Sequence, residues 1–325
     1  MGSDKGEEIA DDGNLPVLPR TISDALCAVK SLGFKYLWVN RYCVPQDNFP
    51  DKHRLIRMMG EIYRNSTLTL IVAAGQGPDH GLPGISPGLR KAEKPLDVGD
   101  WTLVHHETNL EEEIKSSRWN SRAWTYQEAL LSYRRLVFTE SQTYFQCQSM
   151  HCLESISIPL SKLHTPGFQD MISTSFPRIF PSQGVGEDYY RSFYDRITEY
   201  TQRKLSYHKD ALLAFQGVMQ KFERHDRPIP YLCGLPILEV NYRDFKESKD
   251  CVTPLLFSML WERESNVNDL PAERRREFPS WTWAGWVRSE KAKFSPSLYF
   301  GSSELRDLGC SVQVRAQFID GTVLD

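Results

Sequence analysis

Glu128 follows Trp124 by one helical turn in the run Arg122-Ala-Trp-Thr-Tyr-Gln-Glu128. Residues four apart share one face of a helix, so this spacing sets a carboxylate beside an indole, with a guanidinium just upstream. Such a set can stabilise positive charge developing against a flat ring. It can equally brace a loop, with Trp124 in the core and Arg122 holding Glu128 in place. A second group, Asn40, Cys43 and Gln46, lies at and beyond the end of the apolar run Tyr36-Leu-Trp-Val39. Read as a short buried strand, that run puts the group where α/β sheets place their ligands, and the Asn40 and Gln46 amides can then hydrogen-bond a ligand there. The same side chains also suit turns braced by side chain-to-backbone bonds.

Other constellations carry less. Cys43 has no activating histidine near it in sequence and reads as a buried thiol. Cys147-Gln-Ser-Met-His151-Cys152 offers three metal ligands without a fourth or the paired spacing of zinc sites, so no metal is expected. His105 and His106 read as facing a loop. Gly75-Gln-Gly77 is not followed by Gly-Lys-Ser/Thr and is no phosphate loop of that kind. Arg274-Arg-Arg276, between Glu273 and Glu277, reads as a short exposed basic run. Trp281, Trp283 and Trp286, and the stripe from Tyr189 to Tyr200, read as packing.

These residues need elements to hold them. Leu26, Val29 and Leu32 recur at helical spacing after a Thr21 or Ser23 cap, and Gly33 closes the helix. Leu55, Met58, Met59, Ile62 and Tyr63 predict a second helix, and Thr67–Ala74, β-branched and apolar on both faces, predicts a buried parallel strand. A strand near Trp101–His105, a helix over Arg122–Leu131, a strand over Arg135–Phe138 and an alternating run Gln142–Cys147 follow. The alternation of helix and strand argues for an α/β class with a mostly parallel sheet and insertions. Beyond Cys152 the chain turns loop-rich, then helical through Tyr189–Tyr200 and Leu212–Met219, with short strands after Phe278. The expected organisation is a disordered leader over 1–14, an α/β core over 15–152, and a C-terminal α+β region over 153–325 packed against it.

Composition limits the partners. The chain has 325 residues, with 39 Lys plus Arg against 42 Asp plus Glu and a net charge of −3, which gives no general reason to bind nucleic acid or an anionic membrane. Leu68–Ala74 is far shorter than a membrane span. Met1–Asn14 is polar and acidic, unlike a secretory signal. The seven cysteines form no tight framework, which suits reduced thiols and a cytoplasmic setting.

Tyr36-Leu-Trp-Val-Asn-Arg-Tyr-Cys-Val-Pro-Gln-Asp47 resembles the signature of the fungal heterokaryon-incompatibility (HET) domain. Met59-Gly-Glu-Ile-Tyr-Arg-Asn65 and Trp119-x-x-Arg122-Ala-Trp-Thr-Tyr-Gln-Glu128 resemble further blocks of that family, in the same order. Leu205-Ser-Tyr, Asp210-Ala-Leu and Phe278-Pro-Ser-Trp-Thr-Trp-Ala-Gly-Trp286 resemble the region that commonly follows, so the likeness runs from about Leu15 to Trp286. Two departures stand out. The family usually carries Asp where this chain has Asn40, and its opening strand with a Ser-Tyr-x-Trp-Gly block has no match in Met1–Pro19.

The resemblance implies a role in fungal self/non-self recognition and programmed cell death. HET domains have been compared with TIR domains, doubly wound α/β folds whose enzymatic members cleave NAD with a glutamate on a Trp-Cys-x-x-Glu helix. By that likeness Glu128 is the candidate catalytic carboxylate, facing the oxocarbenium-like ribose as nicotinamide leaves. Trp124, Arg122, Asn40 and Gln46 are the candidate nucleotide contacts. NAD enters as substrate, with no bound cofactor implied. The alternative is a non-catalytic module that self-associates and assembles with partner incompatibility proteins, or an inactive truncated member.

Overall fold

The computed structural model describes residues 17–45, 47–90, 96–99, 101–103, 109–156, 189–237 and 273–287. It also describes the short pieces 165–167, 170, 174, 177–181, 255, 258–259, 261–264, 293–296, 316–317 and 323–324. In chain order, helices α1 (Arg20–Ser31), α2 (Asn40–Cys43) and α3 (Phe49–Asn65) precede strand β1 (Thr69–Val72). The hairpin of β2 (Leu96–Val98) and β3 (Trp101–Leu103) leads to helices α4 (Leu110–Ser116), α5 (Arg118–Ser121) and α6 (Trp124–Leu131). Strands β4 (Arg134–Phe138), β5 (Thr143–Cys147) and β6 (His151–Leu153) follow, then helices α7 (Tyr189–Thr201) and α8 (Gln216–Glu223) and several two- to four-residue strands. The chain forms two compact units whose segments alternate in sequence. The first takes Met1–Pro45, Leu68–Trp119 and Arg134–Ile179; the second takes Gln46–Thr67, Asn120–Tyr133 and Phe180–Asp325.

The first unit is built on a four-stranded sheet in the order β1-β4-β5-β6. Only β1 and β4 run parallel, with Leu70 opposite Leu136 and Val72 opposite Phe138. The β4–β5 and β5–β6 pairs are antiparallel, so the expectation of a mostly parallel sheet is corrected to a mixed one. The reason lies in the connections. Thr139–Gln142 is a tight turn closed by the Thr139 N–H on the Gln142 carbonyl at 3.1 Å, and a parallel pair needs a crossover of a dozen residues or more. Helix α1 covers the sheet, setting Ala25 and Ala28 with Leu82 among Leu70, Val72, Leu136 and Phe138. The loop after β1 is clipped to α1, because Asp24 Oδ2 accepts from the Leu82 N–H at 2.8 Å and from the Ser86 hydroxyl.

The expected strand Tyr36–Val39 does not form. Local bonds take up its end: the Trp38 indole N–H donates to Asn40 Oδ1 at 2.9 Å, and the Val39 N–H donates to Cys43 Sγ at 3.4 Å. The chain winds there into the single turn α2, and Tyr36 stands 91% exposed.

The second unit packs helices around aromatic rings. Asn48 caps α3 by accepting from the Asp51 N–H at 3.2 Å, with Pro50 in the first turn. Helix α3 meets α8 through two glycines, and a Cβ on Gly60 would lie 2.8 Å from the Gly217 Cα. Phe193, Tyr200, Phe215, Phe222 and Trp283 interlock at the centre, with Trp283 edge-on to Tyr200 and Phe215 at 5.7 and 5.6 Å between centroids. Of the described rings in the Trp281–Trp286 run and the Tyr189–Tyr200 stripe, Trp283, Phe193, Tyr194 and Tyr200 are buried, as packing requires, whereas Trp281 and Trp286 are half-buried. The Arg274–Arg276 run is not uniformly exposed. Arg274 lies over the Trp286 ring at 5.1 Å and bonds the Phe278 carbonyl at 2.6 Å, while Arg275 is buried, so the local turn needs two of these guanidiniums as carbonyl ties.

Candidate functional site

Helix α6 carries the Trp124–Glu128 pair inside the second unit. Glu128 is half-buried, and its Oε1 accepts a hydrogen bond from the Tyr63 hydroxyl at 2.8 Å. Its own carbonyl accepts from Ser132 Oγ at 2.6 Å, which closes the helix. Trp124 packs against the aromatic core, and its indole N–H donates to Asp210 Oδ2 at 3.3 Å. The indole is therefore braced by a carboxylate of its own. Arg122 is exposed, and what it contributes to the cluster is its carbonyl, which accepts from Thr125 Oγ1 at 2.7 Å.

Arg203 is the residue that sequence reasoning missed. Its guanidinium lies 4.8 Å from the Tyr126 ring centroid and donates to Asn120 Oδ1 at 2.6 Å and Thr125 Oγ1 at 3.3 Å. Burial pulls its pKa down to about 10 against the opposing influence of Tyr126, Glu199 and Glu128, so it acts electrostatically on the Glu128 carboxylate. Tyr126 in turn donates to Glu199 Oε2 at 2.6 Å, and burial, then the Glu199 charge, raises its hydroxyl pKa well above the usual value. The result is a network of charged and polar groups along the start of α6 in which Glu128 accepts from the Tyr63 hydroxyl and interacts electrostatically with Arg203. No spacing rule links Arg203 to Glu128, because the two are 75 positions apart (203 − 128) and meet only through tertiary packing.

Asn40 belongs to the first unit, where it braces the α2 turn through Trp38. Gln46 lies outside the described residues, as do His105 and His106. Cys43 is engaged with backbone, its sulfur accepting from Val39. The Cys147, His151 and Cys152 set cannot converge. In the β5–β6 register Phe145 opposes Cys152 and Gln146 opposes His151, so His151 projects from the face opposite to both cysteines. Among the described residues no three potential metal ligands cluster. Nor, among them, is any helix long and apolar enough to cross a membrane.

Residues 2–128 match the family described as Heterokaryon incompatibility protein (HET). The chain therefore carries a HET domain over that span, and with it the role the domain implies in fungal heterokaryon incompatibility and cell death. No curated protein and no solved structure matches.

Proposed function

We propose that this chain serves incompatibility as a non-catalytic interaction module, self-associating and engaging partner incompatibility proteins through the surface of Leu26–Tyr42. One observation carries the reading. Leu26, Leu32, Phe34, Tyr36, Trp38 and Tyr42, six large apolar side chains within one short segment, are all exposed. Exposed apolar clusters of that kind mark interaction surfaces in otherwise well-packed proteins. Sedimentation velocity of the purified chain, compared with Tyr36→Ser/Trp38→Ser, tests it. Association at micromolar concentration that is lost in the double variant supports the module. Identical behaviour of the two proteins removes it.

A second reading, cleavage of NAD at Glu128 in the manner of TIR enzymes, is favoured by the Tyr63 bond and the Arg203 charge. The Tyr63 hydroxyl orients the carboxylate, and a carboxylate so placed is the group that stabilises an oxocarbenium-like ribose, with Trp124 and Arg122 on the same stretch. Nicotinamide release that disappears in Glu128→Gln supports this reading. No release, or release unchanged in the variant, sinks it.

A further inference from the structure

Helix α1 borders an open groove of about 590 Å³ in the first unit, floored by buried Val29 and half-buried Leu18 and Leu37, with the exposed Leu26, Phe34, Lys30 and Lys35 around them. Its lining includes two lysines and no carboxylate. Between residues 17 and 45 the basic groups Arg20, Lys30, Lys35 and Arg41 are all exposed. The only carboxylate in that stretch, Asp24, is committed inward, accepting from the Leu82 N–H and the Ser86 hydroxyl. This segment thus carries four positive groups against one spoken-for negative group, in a chain whose net charge is −3. An occupant must bring apolar side chains for the floor and carboxylates for the rim.

We infer that this groove docks an acidic, apolar peptide segment of a partner protein. The inference rests on the interaction-module reading above and names the chemistry of the partner. The alternation of floor and rim suits an extended or helical segment in which Leu-like and Glu-like residues share one face, the ordinary helix-in-groove or strand-in-groove arrangement. Charge pairing at the rim then selects the partner and its orientation, and the apolar floor supplies the affinity. A peptide fits better than a bilayer because the groove has depth: a flat lipid face would rest on its exposed residues and leave the buried Val29 and half-buried Leu18 and Leu37 uncovered, whereas a side chain can enter.

The test uses the full chain and a fluorescein-labelled peptide of alternating Leu and Glu, read by fluorescence anisotropy, with a Leu–Lys peptide as control. Saturable binding of the Leu–Glu peptide is expected, weakened about tenfold or more in Lys30→Glu/Lys35→Glu and by added salt. The double variant should now take up the Leu–Lys peptide, which shows that it remains folded and that the groove has merely changed sign. Absent binding, or equal binding of the Leu–Glu peptide by both proteins, overturns the inference. So does co-sedimentation with phosphatidylserine vesicles that depends on Lys30 and Lys35 while the peptide fails to bind. If the peptide arm fails and self-association still depends on Tyr36 and Trp38, the groove assignment falls and the module reading stands. If peptide binding tracks the lysines while association ignores Tyr36 and Trp38, it is the module reading that falls.

Discussion

The two units use the same kinds of side chain in opposite ways. In the second, Trp283 and Tyr200 are sealed at the centre, 1% and 2% exposed, with the Trp283 N–H on the Gly234 carbonyl at 2.9 Å and the Tyr200 hydroxyl on the Ala211 carbonyl at 2.6 Å. In the first, Trp38 is 40% exposed and donates to its near neighbour Asn40, while Tyr36 is almost wholly in solvent. Aromatic content alone therefore says nothing about burial. What differs is the scaffold: helices α7 and α8 supply facing surfaces that enclose rings, whereas Phe34–Tyr42 has lost the strand that would have tucked alternate rings under a sheet. Rings inside hold a unit together, and rings outside are free to recognise something.

The sharpest way to break this contrast is truncation of one ring from each class. Trp283→Ala should cost about 3–5 kcal/mol in urea unfolding, the range for a large buried aromatic. Trp38→Ala should stay within about 0.5 kcal/mol, as exposed sites do. Equal losses would mean that Trp38 is covered in solution.

A second prediction concerns alkaline pH. Burial raises the Tyr126 and Tyr200 hydroxyls above the usual 10.0 in the folded chain. A raised folded pKa contributes stability that is fully present below the unfolded value and is lost as pH rises above it, because only the unfolded chain gives up the proton there. The second unit should thus lose about 1.4 kcal/mol per pH unit for each of these tyrosines above pH 10.0, followed by denaturant titration at several pH values. Tyr126→Phe should make that slope shallower. A slope untouched by the substitution would show that the ring reaches water.

The smallest effect belongs to the first unit. Burial pushes the Glu154 carboxyl up, but the Thr143 N–H at 2.7 Å, the Thr143 side chain and the Arg90 guanidinium outweigh it, so its pKa lies below the usual 4.5. A lowered folded pKa contributes stability above the unfolded value and loses it as pH falls through the folded one. Glu154→Gln should therefore cost under about 1 kcal/mol at neutral pH, since the carboxylate is half in solvent, and that difference should fade below pH 4.5. A cost that grows in acid would contradict the assignment.

Much of the local structure was legible from residue pattern. Helices α1, α3 and α6, the parallel strand β1 and the strand β4 all fall where spacing predicted, because each is decided by neighbours a few positions away. The HET assignment was legible too, from ordered blocks that the family match covers over residues 2–128. Two features misled. Tyr36-Leu-Trp-Val39 has the composition of a buried strand, yet the Asn40 and Cys43 side chains just beyond it bond back to Trp38 and Val39 and wind the chain into a turn. Alternating helices and strands suggested a parallel sheet, yet the short links after β4 and β5 allow only antiparallel neighbours.

What sequence determined by itself is most of the local elements, the HET domain over residues 2–128, and the presence of Glu128 one turn past Trp124. Only tertiary structure decided what surrounds that carboxylate: Tyr63 from 65 positions away and Arg203 from farther still reach it across helix contacts that no local period encodes. The same holds for the exposed segment of the first unit. Pattern counts apolar residues, but whether a ring is covered depends on which distant surface the chain brings over it, and over Leu26–Tyr42 six large side chains are left in solvent.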